Sequence, residues 1–187
     1  NKGRNFYLYE LTTTKTDIDF RIIKACYDID KVAVTNCYKF YMQYLPKPIL
    51  QAILELYKNK TTLKGVEGSE VEYLLSKGML NSVYGMCVTD IVRPENIYNG
   101  EWEKSPITEE TTAEQIEKYN KSKNRFLYYA WGVWVTAWAR RNLWTGILNI
   151  ADDYIYSDTD SIKFLNYEKH TGFINWYNKQ IEEKLKK

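Results

Sequence analysis

The sequence predicts an α+β protein: an antiparallel sheet whose acidic hairpin packs on helices, together with a two-helix hairpin. Three observations predict it. Asp158 and Asp160 lie one residue apart between the short apolar runs Tyr154-Ile155-Tyr156 and Ile162-Lys163-Phe164, the pattern of strand, tight turn, strand. Ser69 and Glu72 stand at capping-box spacing ahead of a long mixed run, so a helix starts near Ser69. Pro46 and Pro48 open another helix, reaching about Lys58 and carrying Ile49, Ile53, Leu54 and Tyr57. The polar stretch from Lys58 to Gly68 then links the two helices.

The remaining elements follow in chain order. Thr16-Asp17-Ile18-Asp19 has the form of a helix start, with Phe20, Ile23 and Tyr27 on one side. Val32 to Phe40 is rich in β-branched and aromatic residues and reads as a strand. Pro94 to Asn124 is polar throughout and reads as an inserted hairpin or a flexible excursion. A long helix from about Phe126 to Asn149 leads into the acidic hairpin. Thr171 to Lys187 forms a final amphipathic helix with Ile174, Tyr177, Ile181 and Leu185 as its inner stripe.

Composition narrows the function classes. With 187 residues, 44% apolar and 16% aromatic, the chain can bury a core and is globular, as one domain or two. The net charge of +2 does not by itself announce nucleic acid. Lys58, Lys60, Lys64 and the run from Lys118 to Arg125 form either a basic patch or ordinary solvated surface. Cys26, Cys37 and Cys87 are unpatterned, which suits reduced thiols in a cytoplasmic protein rather than disulfides or zinc. His170 is the single histidine, which argues against a Ser-His-Asp triad and a His-rich metal site. It is expected at the surface, just before the last helix. No secretory signal is present, and the apolar stretch from Phe126 to Ala139 is too short to cross a bilayer.

Two constellations carry chemistry. Residues i and i+2 of an extended or tightly turned backbone point the same way, so the carboxylates of Asp158 and Asp160 converge at the hairpin tip. Their mutual repulsion needs a reason. Mg²⁺, which binds through one or two carboxylates plus substrate phosphates, supplies one; plain turn capping by Asp, Thr and Ser supplies another. On the helix after Ser69, Lys77, Asn81 and Tyr84 are spaced i, i+4, i+7 and share a face. Leu75, Met79, Val83 and Met86 fall largely on the side that can be buried. A cation, an amide and an aromatic ring suit a nucleoside triphosphate, and equally a solvated helix face.

In this order the two motifs resemble those of family B DNA polymerases. Lys77-x-x-x-Asn81-Ser82-x-Tyr84-Gly85 is similar to motif B, and Tyr156-x-Asp158-Thr159-Asp160-Ser161 to motif C. Thr136-Ala-Trp-Ala-Arg140 is similar to the Thr-x-x-Ala-Arg helix between them. The wording Met79-Leu-Asn-Ser82 and Thr136-Ala-Trp-Ala-Arg140 resembles most the protein-primed phage and plasmid branch. The resemblance runs from about Pro46 to Phe164.

What the resemblance implies is specific. Residues 46–87 would be fingers helices, 88–125 an insertion that encircles DNA and separates strands, and 126–187 palm. Residues 1–45 would be palm and the tail of an insertion contacting a terminal priming protein. The reaction would be template-directed nucleotidyl transfer from dNTPs with two Mg²⁺ (or Mn²⁺) ions, in viral or plasmid replication. Asp160 would be the direct metal ligand and Asp158 its supporting carboxylate. Lys60, with Lys64 as substitute, and Lys77 would hold the triphosphate. Asn81 would support the nucleotide pocket, and Tyr84 would pack near the new base pair. Ser82, Gly85, Thr136, Arg140, Tyr156 and Thr159 would contact the DNA template-primer. For Arg140 the expected partner is either a carboxylate or the DNA backbone. The family's Asp-x-x-x-Leu-Tyr-Pro motif A, its exonuclease acids, its thumb and its Lys-x-Tyr motif have no counterpart here. The chain is therefore expected to be a piece of a longer polymerase, inactive alone. The competing class is a non-catalytic module that binds nucleic acid or a replication partner.

Overall fold

A computed structural model describes residues 9–185. It is α+β, mostly helical, with two small antiparallel two-stranded sheets among the described residues. The chain divides into two compact units: Asn1–Thr35 with Trp134–Lys187, and Asn36–Val133. The first eight residues of the expected 1–45 region lie outside the described residues.

In the first unit, α1 (Asp17–Cys26) begins where Thr16 caps it: the Thr16 hydroxyl accepts from the Asp19 amide at 3.1 Å. Its inward row is Ile18, Asp19, Ile22, Ile23 and Cys26, while Phe20 and Tyr27, expected on one side with Ile23, are exposed. The row is set by α5 (Tyr129–Ile150). Trp144, Thr145 and Leu148 line a groove with Ile18, Ile22 and Ala25. Ala137 is fully buried and Ile150 is buried at the end of α5. A short 3₁₀ turn (Ala151–Asp153) leads into β3 (Tyr154–Asp158), which pairs with β4 (Ser161–Phe164). Gly146 of α5 meets Ile162 of β4, so the hairpin lies against this helix. Last comes α6 (Tyr167–Leu185), one turn longer at its start than expected. Ile174, Tyr177 and Ile181 face inward as the stripe required; the side chain of Leu185 lies outside the described residues.

In the second unit, α2 (Lys47–Thr62) packs on α3 (Glu70–Cys87). Pro46 caps α2, its carbonyl accepting from the Ile49 and Leu50 amides at 3.0 and 3.1 Å. The helix continues past Lys58 to Thr62, and the Thr61 and Thr62 hydroxyls donate back to the Lys58 carbonyl at 2.8 and 2.9 Å. At α3 the capping box does not form. Ser69 makes no side-chain cap bond, and Glu70 instead accepts from the Gly68 amide at 3.2 Å. The buried rows also differ from those expected. Ile49, Ile53, Leu56, Lys60 and Leu63 face Tyr73, Ser76, Leu80, Val83 and Cys87. Both rows alternate steps of four and three, the seam of helices crossing at a shallow angle. Leu54, Tyr57, Leu75, Met79 and Met86 lie off that seam and are exposed.

The strand expected at Val32 to Phe40 does not form. The segment carries no regular secondary structure and is exposed, and propensity without a neighbouring strand makes no sheet. The polar insertion, by contrast, is ordered into β1 (Asn96–Tyr98), β2 (Trp102–Lys104) and α4 (Glu109–Lys121). Gly100 takes φ +85° at the hairpin turn, where a side chain would be strained. The Gln115 amide group ties α4 back to Arg93 through two bonds of 2.8 Å.

Close helix approach at glycine makes the packing testable. A methyl group on Gly132, in the start of α5 that belongs to the second unit, would collide with Val88 and crowd the Cβ of Cys87 of the same unit; one on Gly146 meets only the flexible tip of Ile162; one on Gly78 meets nothing within 4 Å. Gly132→Ala is expected to destabilise by about 1–3 kcal/mol through overpacking, Gly146→Ala by less, and Gly78→Ala to stabilise by up to about 1 kcal/mol. Urea unfolding of the three variants checks this order.

Candidate functional site

The acidic hairpin forms where the sequence placed it, with one feature that pairwise pattern reading missed. Tyr154 pairs with Phe164, but Tyr156 pairs with Lys163, so Ile155 is a bulge. In a straight strand Tyr154, Tyr156 and Asp158 would share one face. The bulge shifts the parity. Tyr154 and Ser157 turn inward with Ile162 and Phe164, their hydroxyls 2.9 Å apart, whereas Tyr156 and Asp158 face out with Ser161 and Lys163. Asp158 closes the ladder opposite Ser161, and Thr159 and Asp160 form the two-residue turn. Asp158, Thr159 and Asp160 are all exposed.

Thr159 takes φ +52°. A β-branched residue in the left-handed region is uncommon and costs about 1–3 kcal/mol. Its hydroxyl donates to Asp158 Oδ1 at 3.0 Å, and Ser161 Oγ donates to the Asp158 carbonyl at 3.0 Å. The turn is therefore held by hydroxyls on either side of Asp160. Among the described residues no group of three or more His, Cys, Asp or Glu could hold a metal ion. The donor set at the tip is two carboxylates. It fits a hard cation that takes its other ligands from phosphate and water.

At the hairpin base the structure reveals a hub. Asp153, buried just before β3, accepts from Asn166 Nδ2, Lys169 Nζ and His170 Nε2, each at 2.8 Å. Its carbonyl accepts from the Leu165 amide at 2.8 Å. Lys169 above all, then His170 and Asn166, hold the Asp153 carboxyl far below the usual carboxylate range; Asp153 in turn raises the Lys169 ammonium. His170 thus lies inside α6 and buried, its ring edge-on to Phe164 at 5.6 Å, not at the surface ahead of the helix. A buried carboxylate needs donors, and His170, one turn into α6, supplies one.

Of the two partners expected for Arg140, the structure supplies a carboxylate. Its Nε and Nη2 donate to the two oxygens of Asp19 at 2.7 and 2.9 Å. Thr16 donates to the same carboxylate at 2.9 Å. Arg140 first, with Thr16 assisting and burial opposing, lowers the Asp19 pKa. Thr136 is half-buried one turn before Arg140.

In the other unit, Lys77, Asn81 and Tyr84 are exposed on α3. Each follows a seam residue, Ser76, Leu80 or Val83, by one position, which turns the triad about 100° from α2. Gly85 is exposed beside it, and Ser82 spends its hydroxyl on the Gly78 carbonyl at 2.9 Å. Lys60 is half-buried in the seam, and Lys64 is exposed in the turn after α2. Lys60, Lys64, Lys77, Asn81, Ser82, Tyr84 and Gly85 belong to the second unit, and Thr136, Arg140, Tyr156, Asp158, Thr159 and Asp160 to the first.

Asp153, Asn166, Lys169, Asp19 and α4 escaped the sequence reading. For α4 a signal existed: Thr108 caps it, with Glu109 and Glu110 in the first turn and Lys118 and Lys121 in the last. For the hub there was only an acid before β3 and an Asn after β4. No protein-family model, curated protein or solved structure matches this chain.

Two depressed carboxyls set an acid limit. A group whose pKa is lower folded than unfolded stabilises the fold above its unfolded value, near pH 4, and loses that contribution as pH falls through the folded value. Asp153 and Asp19 are both of this kind. Stability is therefore expected to hold near neutrality and fall below about pH 4. Asp153→Asn and Asp19→Asn should each lower stability at neutral pH and flatten that acid limb. Urea midpoints from about pH 2 to 7 would show it, and an unchanged limb in the double variant would contradict it.

Proposed function

We propose that this chain carries nucleotide- and metal-binding elements of a DNA-directed DNA polymerase of the protein-primed family B type. The observation that carries the reading is the acidic tip. A bulge turns Asp158 outward, and a strained Thr159 sits between two exposed carboxylates that have no structural partner cation in the described contacts. Strained backbone persists where the surroundings over-determine it and clusters at functional sites. The exposed Lys77, Asn81 and Tyr84 face supports the same reading.

In this reading the 3′-hydroxyl of a DNA primer attacks the α-phosphate of a template-paired dNTP, and pyrophosphate leaves. Divalent ions, Mg²⁺ or Mn²⁺, would supply hydroxyl activation and charge neutralisation when bound. Asp160 and Asp158 would hold them. Lys77, with Lys60 or Lys64, would steady the triphosphate, Asn81 would support its pocket, and Tyr84 would pack against the sugar. The fingers would be α2 and α3, the palm the hairpin with α5 and α6, and a terminal protein the primer. Such replication takes place in a host cytoplasm, and no helix among the described residues is long and apolar enough to cross a membrane.

Binding tests this without catalysis. With Mn²⁺ and a dNTP, Asp160→Asn and Lys77→Ala should each weaken complex formation by about tenfold or more. Lys179→Ala, an exposed lysine of α6, should change nothing. Equal affinities for all four proteins would remove the nucleotide site.

One observation favours the second reading, a nucleic-acid-binding module. Tyr98 and Trp102 are 61% and 75% exposed and stand side by side across the β1–β2 hairpin, ring centroids 5.3 Å apart. Exposed aromatics of this kind stack on unpaired bases, at about 1–3 kcal/mol per base. Trp102→Ala and Tyr98→Ala should therefore weaken single-stranded DNA binding at least fivefold each, read by fluorescence anisotropy. Single-strand binding that depends on these rings, with no dNTP binding, would favour the module over the polymerase.

A further inference from the structure

We infer that Asp153, with Lys169, His170 and Asn166, is a positioning device for the carboxylate pair at the hairpin tip. The inference rests on the metal reading of Asp158 and Asp160 proposed above.

At the tip, the two-residue turn fixes Asp158 opposite Ser161. At the base, the Leu165 amide bonds the Asp153 carbonyl, and Tyr154 stands opposite Phe164. Between these fixed ends β3 has five residues and β4 has four. One residue is surplus, and it becomes the bulge at Ile155. The bulge therefore exists only while both ends are held.

The tip is held by its own turn. The base is held by the hub, because three side chains from the segment after β4 converge on the carboxylate of the residue before β3. Asn166, between β4 and α6, takes φ +53° and donates to the Asp153 carboxylate. Released from that hold, the surplus residue can be absorbed at either end. If it moves into the turn, residues 158–160 become a three-residue loop and Asp158 leaves the ladder. A one-residue change of this kind reverses which face a strand residue presents. The hub lies at the far end of the hairpin from the carboxylates, so it acts on ion binding through register.

Lys169→Met gives a sharp test because two mechanisms predict opposite signs. The Lys169 side chain is 66% exposed, so its loss spares the core. Removing a positive charge makes the protein more negative, and plain electrostatics would then tighten Mn²⁺ binding. Loss of the hub should weaken it. The probe is Mn²⁺ alone, titrated into the 187-residue chain and read by water-proton relaxation, with far-UV circular dichroism as the check on folding. We expect Lys169→Met to bind Mn²⁺ about tenfold more weakly, Lys169→Arg to restore wild-type affinity, and Asn166→Gly, which keeps the backbone conformation, to bind about threefold more weakly. Asp160→Asn is measured beside them. If Asp160→Asn loses Mn²⁺ while folded Lys169→Met and Asn166→Gly bind like wild type, the positioning role is wrong and the metal site stands. If Asp160→Asn binds like wild type, the metal site falls and the positioning role falls with it.

Discussion

The carboxylate of Asp153 is the constraint on which the hairpin depends. A buried carboxylate is costly unless hydrogen-bonded, and this one collects three donors from residues 13 to 17 positions away. Those bonds close a loop around β3 and β4 and tie the hairpin to the first turns of α6. Phe164 then stacks on Tyr167 and meets the His170 ring edge-on. The apolar face of the hairpin, Tyr154, Ile162 and Phe164, is thereby set inward, with Ile162 against Gly146 of α5. Everything at the tip inherits this geometry.

A second buried acid plays a comparable part in the same unit. Asp19 lies on the inward face of α1, and only a bidentate guanidinium and a threonine hydroxyl make that placement tolerable. Because Arg140 belongs to α5, the pair fixes the rotation of α1 on that helix. It also decides which apolar residues of α1 are covered. Ile18, Ile22 and Ile23 lie within a turn of Asp19 and go inward with it, leaving Phe20 outside. An ion pair of this sort adds little net stability. What it provides is a choice among faces that apolar content alone leaves nearly equal.

In the other unit the choice among faces is made by steric fit. The sequence of α3 offers two apolar rows, and the row with alternating three- and four-residue steps matches the one on α2. Ser76 and Cys87 are small enough to be buried in that seam, and Lys60 is half-buried there. The consequence reaches the surface. Lys77, Asn81 and Tyr84, each one residue beyond a seam position, emerge together on an open face.

By itself the sequence determined the elements whose signals are local. The acidic turn between two short apolar runs, the proline-led start of α2, the Thr16 cap of α1 and the stripe of Ile174, Tyr177 and Ile181 all depend on neighbours within a few residues, and all are legible there. So was the common face of Lys77, Asn81 and Tyr84, because helical periodicity alone defines it. Tertiary structure decided whatever needed a distant partner. Val32 to Phe40 has strand propensity but no neighbouring strand among the described residues, so it forms no strand. Leu75 and Met79 are apolar but miss the seam, so they remain exposed. The bulge at Ile155 comes from anchoring both ends of the hairpin, and the burial of His170 from an acid 17 residues earlier. Hydrogen bonds and packing across such separations leave no periodic trace in a sequence, which is why the position of the acidic pair could be read from the chain and its orientation could not.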